Sequence, residues 1–101
     1  MKNAYVKVGN LLSRNTGRAI ANQFIIVTDD GYYMQSYDSV VVHYNRRDNV
    51  LTLGYDWNYS KTTLKYVEQF IDEYTTYGKM TKAEIQQAIN ENVFLYDEDM
   101  F

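Results

Sequence analysis

The side chains that could do chemistry are few. His43 is the single histidine of the chain, and Ser36, Asp38 and Ser39 stand close to it in sequence. A serine, a histidine and an aspartate joined by hydrogen bonds would make a nucleophile–base pair for acyl transfer, but such a set is defined by geometry. Neighbours on a strand point to opposite faces, and nothing in this spacing brings the four together. His43 therefore reads as a strand histidine on a partly wet face. Asp29–Asp30 and Asp97–Glu98–Asp99 are the carboxylate clusters. A cation site would need convergent ligands, and the single histidine sits far from these clusters in sequence. They read as a turn and a solvated tail. The chain has no cysteine, which excludes a disulfide framework, a thiolate zinc site and a cysteine nucleophile. No catalytic, metal or cofactor site is expected, and the protein is not expected to be an enzyme.

Contact chemistry is better represented. Eleven of 101 residues are tyrosine, and aromatic residues make up 16% of the chain. Tyrosine offers a large, rigid, amphipathic surface at low entropic cost. A core this small cannot hold every ring, and rings left outside would line a binding surface. The competing reading is that tyrosine is abundant because it suits strands. The formal charge is −3, and it is uneven. Residues 1–50 carry six Lys/Arg against four Asp/Glu, and residues 51–101 carry four against nine. An acidic surface repels nucleic acid unless a basic patch overrides it. Lys2, Lys7, Arg14 and Arg18, with Arg46–Arg47, are the residues that could form one.

The elements that must position these residues follow from the pattern. One domain is expected. Residues 1–21 have no clean period and read as an N-terminal arm or irregular strand. Residues 22–55 read as an antiparallel meander. NQFIIVT is a strand, Asp30–Gly31 a hairpin signal, YYMQSY the returning strand, VVVHYN a third and VLTL a fourth. Asp38–Ser39 suggests a kink or bulge. In VVVHYN, alternation places Val40, Val42 and Tyr44 on one face and Val41 and His43 on the other. Alternation likewise places Tyr33 and Tyr37 together and Tyr32 opposite. The segment 60–77 has helical spacing at Leu64, Val67, Ile71 and Tyr74, with Asn58 or Ser60 as cap and Gly78 as stop. Thr81 and Glu84 form a capping box that opens a short helix over 81–91. Residues 93–101 read as a last strand and a frayed acidic tail. The expected fold is α+β, a four-stranded antiparallel meander with one long and one short helix on one face and a fifth strand allowed at the C-terminus. The start of the chain has no apolar run of signal-peptide kind, and no stretch approaches the ~20 apolar residues of a membrane span. A cytoplasmic location is expected.

Two stretches carry a resemblance. QSYDSVVVHY and VLTLGYDWNYSKTTLKYVEQF are similar to a family of small uncharacterised proteins encoded by phages and plasmids of Gram-positive bacteria. The matching positions are Gln35–Ser36–Tyr37, Trp57, Tyr59–Ser60, Thr62–Thr63, Lys65–Tyr66 and Gln69–Phe70. TKAEIQQAI followed by a strand also looks similar, so the likeness runs from about Asn22 onward. The resemblance implies an accessory protein of a mobile element, in a niche where small acidic proteins often inhibit host defence, anti-CRISPR proteins among them.

The candidate contact residues each have a packing reading beside the functional one. Trp57 is either a plug between sheet and helix or, with Tyr59, an exposed anchor. Tyr66 and Phe70 are i,i+4 neighbours that either widen the apolar stripe or form a partner-binding ridge. Tyr37 is a further candidate. Asp97, Glu98 and Asp99 could imitate a phosphate backbone in a basic groove. The function expected is stoichiometric binding to a host protein, such as a CRISPR effector or other nucleoprotein, in the bacterial cytoplasm. The alternative is nucleic-acid binding through Tyr33, Tyr37, Arg46 and Arg47, with the rings stacking on bases. A homodimer through an uncovered sheet face is compatible with either.

Overall fold

A computed structural model describes residues 6–100. Five strands, β1 (Val6–Leu12), β2 (Ala19–Thr28), β3 (Gly31–Ser36), β4 (Ser39–Asn45) and β5 (Val50–Gly54), precede helices α1 (Lys61–Tyr74) and α2 (Lys82–Asn90) and a short β6 (Leu95–Asp97). They form one six-stranded sheet in chain order. The fold is α+β as expected, with more strands than the four-stranded reading. The residues read as an arm include β1, where Gly9 hides the period. Lys2 lies outside the described residues. β6 pairs with β5 in parallel, because two helices intervene and carry the chain across the sheet before it returns.

Register divides the strand side chains cleanly. One row, Gly9–Ile25–Met34–Val42–Leu53–Tyr96, crosses all six strands on the face that carries the helices. Ile25, Met34, Val42 and Leu53 are buried there with Val67, Phe70, Ile71 and Ile85 from the helices. Each such side chain contributes about 1.5–3 kcal/mol through removal from water. The next row crosses the opposite face: Val8–Ile26–Tyr33–His43–Thr52–Leu95.

Two local features correct the alternation read from sequence. The β3–β4 register shifts between Met34 and Gln35, and Val41 is the extra residue. Val41 and Val42 are both buried as a result, and Val40 lies with Gln35 on the side opposite Val42. Tyr37 does not share the face of Tyr33. It leaves the strand in the left-handed region, with φ 55°.

The helices begin as their sequences dictate. The Ser60 hydroxyl accepts from the Thr63 amide at 3.1 Å. Thr81 and Glu84 complete a reciprocal box, the Glu84 amide donating to Thr81 Oγ1 and the Thr81 amide to Glu84 Oε1. α1 ends at Tyr74, before Gly78. The Thr75 hydroxyl donates back to the Ile71 carbonyl, and a β-branched residue bonded this way favours leaving the helix.

The β2–β3 hairpin sits where Asp30–Gly31 predicts it, for a different reason. Asp29 and Asp30 make the loop and Gly31 already belongs to β3. A Cβ at Gly31 would run into the Tyr44 carbonyl oxygen, so the glycine is required by close approach of the backbones. Residues 98–100 are not a frayed tail, and Phe101 lies outside the described residues. The Met100 amide donates to the Asp97 carbonyl at 3.2 Å, and Met100 lies over Gly54. No helix among the described residues is long and apolar enough to cross a membrane.

Candidate functional site

The exposed tyrosines gather at one end of the strands. Tyr37 follows β3, Tyr55 and Tyr59 lie between β5 and α1, and Tyr96 is in β6; they are 56%, 65%, 80% and 45% exposed. Two clefts run between them. One, of about 440 Å³, is lined by Tyr55, Asp56, Trp57, Tyr59, Ile89 and Tyr96 among others. Its neighbour, of about 210 Å³, is lined by Tyr37, Asp38, Ser39, Val41, Asp56 and Tyr59 with Ser36 and Thr63. Asp56 and Tyr59 belong to both and form the ridge between them. Neither lining contains a Lys or Arg.

Local structure fixes this surface. Tyr37 in a left-handed conformation costs roughly 1–2 kcal/mol. It is held there by its amide, which donates to the Asn22 carbonyl at 2.8 Å, and by its carbonyl, which accepts from Gln35 Nε2 at 2.7 Å. The loop between β5 and α1 is pinned beneath by Trp57, which is 3% exposed. The Trp57 amide donates to the Gly54 carbonyl at 3.1 Å and the Tyr59 amide to the Asp56 carbonyl at 3.1 Å. Ser39 Oγ donates to Asp56 Oδ2 at 3.3 Å and holds the carboxylate between the clefts. The Tyr96 phenol is raised above the usual tyrosine range, first by desolvation and then by the negative charge of Glu98, with Tyr55 and Asp56 adding to it.

Several expected contact residues lie elsewhere. Trp57 and Phe70 are core residues and cannot serve as exposed anchors; Phe70 stacks on Tyr74 with ring centroids 5.3 Å apart. Tyr66 is half-buried against the core, with Lys65 Nζ 5.4 Å from its ring centroid. Asp97, Glu98 and Asp99 are exposed, and Asp97 shares with Tyr96 a further depression of about 560 Å³. Tyr55 and Tyr96 are passed over by the sequence reading. The signal for Tyr55 is an aromatic between Gly54 and Asp56, in a polar loop with no apolar neighbour to bury it. Tyr96 could be placed only by the register of β6.

The nucleic-acid set does not converge. Tyr33 stacks on His43 on the face away from the helices, ring centroids 4.0 Å apart. Tyr37 is at one end of β3, while Arg46 and Arg47 follow β4 at the other end. Arg46 lies over the Tyr32 ring at 5.6 Å, and Arg47 pairs with Asp30 at 3.6 Å. Arg14, named with the basic patch, is engaged by Asp72 at 2.7 Å and Glu73 at 2.9 Å. The residues around His43 do not form a catalytic chain. Ser36 Oγ is 3.4 Å from Thr63 Oγ1, Ser39 bonds Asp56, and His43 Nε2 has no partner among the described residues. Among those residues no group of three His, Asp or Glu is placed to hold a metal ion.

No curated protein and no solved structure matches the chain. A family model does match, over residues 6–87, from the first strand to the middle of the second helix. The chain thus belongs to DUF8033, a family of unknown function.

Proposed function

We propose that this protein works by stoichiometric binding to another protein, through the tyrosine-rich end of the sheet and without chemistry of its own. The observation that carries this reading is the arrangement of Tyr37, Tyr55, Tyr59 and Tyr96 around Asp56, with more than two fifths of each ring residue open to solvent. Rigid phenols beside apolar and polar groups are the side chains that supply most energy in protein interfaces. Carboxylates complete the surface: Asp38 and Asp56 line the clefts, and Asp97 and Glu98 stand beside Tyr96. A surface of rings and carboxylates, free of lysine and arginine in its clefts, is complementary to arginine-rich or lysine-rich protein surfaces.

The resemblance to proteins of phages and plasmids supports a host target, and the charge supports a nucleoprotein with a basic channel, such as a CRISPR effector. On this reading the protein is an accessory of a mobile element acting in the bacterial cytoplasm. It occupies the channel in place of nucleic acid. The test is binding of the purified protein to purified nucleoprotein effectors over a salt series. Wild-type protein is expected to bind with an affinity that falls as salt rises, and Tyr37→Ala with Tyr59→Ala to lose at least tenfold, corresponding to about 1.4 kcal/mol. Absence of binding at low salt, or binding that the double substitution leaves unchanged, overturns the reading.

A further inference from the structure

The face of the sheet away from the helices is uncovered by any described residue, and its composition is unusual for an open surface. The row Val8–Ile26–Tyr33–His43–Thr52–Leu95 contains no charged group. The adjacent row, Asn10–Phe24–Gln35–Val40, contains none either. Beyond these, Val6 pairs with Thr28 and Val50 with Asn45. The sole charged strand residue on this side is Asp97, at its corner beside Gly54. A solvated sheet face normally alternates to polar and charged side chains.

We infer that this face is the interface of a homodimer, in which two copies pack sheet against sheet and the helices lie outermost. Two arguments select a second copy over other occupants. The first is charge. The chain is acidic overall, with a net charge of −3. A two-fold interface sets each patch against itself, so any charged patch would meet its own sign. The face around Tyr33 and His43 is where two acidic molecules can meet without that repulsion, and it offers nothing to a phosphate backbone or a basic protein. His43 does not disturb this, because desolvation holds it below the usual histidine range against the opposing charge of Asp30.

The second argument is area. Six strands about 4.8 Å apart, most of them some six residues long at about 3.3 Å each, span a face of roughly 550 Å². Two such faces remove at least about 1,100 Å² from water before side-chain relief is added, close to the lower bound of about 1,200 Å² for specific interfaces. Aligned sheets pack about 10 Å apart through side chains of this kind. This surface adjoins the tyrosine end at β6, where Thr52, Leu95 and Asp97 line one depression with Tyr96, but it rests on different observations, and neither proposal depends on the other.

The test is the mass of the purified protein in solution by sedimentation equilibrium, from micromolar to submillimolar concentration. Wild type is expected at twice the chain mass. Thr52→Lys and Tyr33→Lys should each reduce it to one chain mass while the circular dichroism spectrum is retained. Thr52 is already polar and only partly buried, so its substitution keeps the comparison valid if Tyr33→Lys fails to fold. Mixing Thr52→Lys with Thr52→Glu should restore the double mass, which only pairing between copies can do. A single chain mass for wild type at all concentrations, or a double mass that survives Thr52→Lys, overturns the inference.

Discussion

Tyrosine does opposite work at the two ends of this sheet. Where β2 meets β3 and β4 meets β5, phenols are tied into the framework. The Tyr44 hydroxyl donates to Asn49 Oδ1 at 2.7 Å, the Tyr77 hydroxyl to the Asn49 carbonyl at 2.6 Å, and Thr76 Oγ1 to the same Asn49 Oδ1 at 2.8 Å. Asn49, left-handed at φ 57°, thereby joins the β4–β5 turn to the segment linking the helices. Tyr77 also meets Tyr44 and Phe94 edge-on, at 6.4 and 4.8 Å. At the other end none of Tyr37, Tyr55, Tyr59 and Tyr96 is part of the core. The same residue type stabilises one end and leaves contact surface at the other, so tyrosine content alone cannot distinguish a stapled core from a docking face.

The contrast can be broken from the tied end most severely. Gly31→Ala should abolish cooperative folding or destabilise by more than about 4 kcal/mol, since backbone must move to admit the methyl group. Urea denaturation followed by circular dichroism measures it, and a loss under 1 kcal/mol would show that this end is not close-packed. Asn49→Ala is next, at about 2–4 kcal/mol, because it removes an acceptor shared by two hydroxyls and a residue suited to positive φ. Tyr77→Phe, which removes the separate bond to the Asn49 carbonyl, should lose about 1 kcal/mol, while Tyr59→Phe at the free end stays within about 0.5 kcal/mol. Equal effects of the two would erase the distinction.

Tyr37→Gly sharpens the comparison from the free end. Relief of the left-handed strain offsets the added freedom of the unfolded chain, so stability should hold or rise by up to about 1 kcal/mol. Partner binding should fall at least tenfold in the same protein. A variant that loses both would place Tyr37 in the framework instead.

The smallest effect is in alkali. Tyr77 is raised above the ordinary tyrosine range, first by desolvation and then by Tyr44, and Tyr74 first by desolvation and then by Glu73 and Tyr32. The native state therefore keeps these protons longer than the unfolded chain. Their stabilisation is complete below about pH 10 and is lost as pH rises through the raised native values. Denaturation midpoints from pH 9 upward should drift down, and Tyr77→Phe should reduce the drift.

Much of this was legible in the chain, and the parts that were not have identifiable causes. Ser60, Thr81 and Glu84 announce their helices because capping is a local interaction between residues three apart. The end of α1 was misplaced because Gly78 is the obvious stop, whereas Thr75 leaves the helix through a single hydroxyl. The opposite faces of Tyr32 and Tyr33 in β3 follow from period two, but the Val41 bulge reverses that period within β4 and depends on how β3 pairs with it. For Trp57 the sequence leaves a core plug and an exposed anchor both open, and the plug is what the structure shows, because the loop folds back over the ring. Tyr59, two residues later, is the ring that the turn leaves outside. The parallel partner of β5 could not be read at all, since it depends on the path of two helices.

That parallel strand has a kinetic consequence. β6 has three residues, all exposed, and joins the sheet only along β5. The antiparallel hairpins close short loops and assemble first, whereas β6 must wait for a long crossover to settle. Detachment of β6 should correspondingly cost less than detachment of any other described strand. Tyr96 leaves the larger cleft with it, so one wall of that cleft can swing out while the hairpins and helices stay folded, and an occupant seated against Tyr96 would latch it shut.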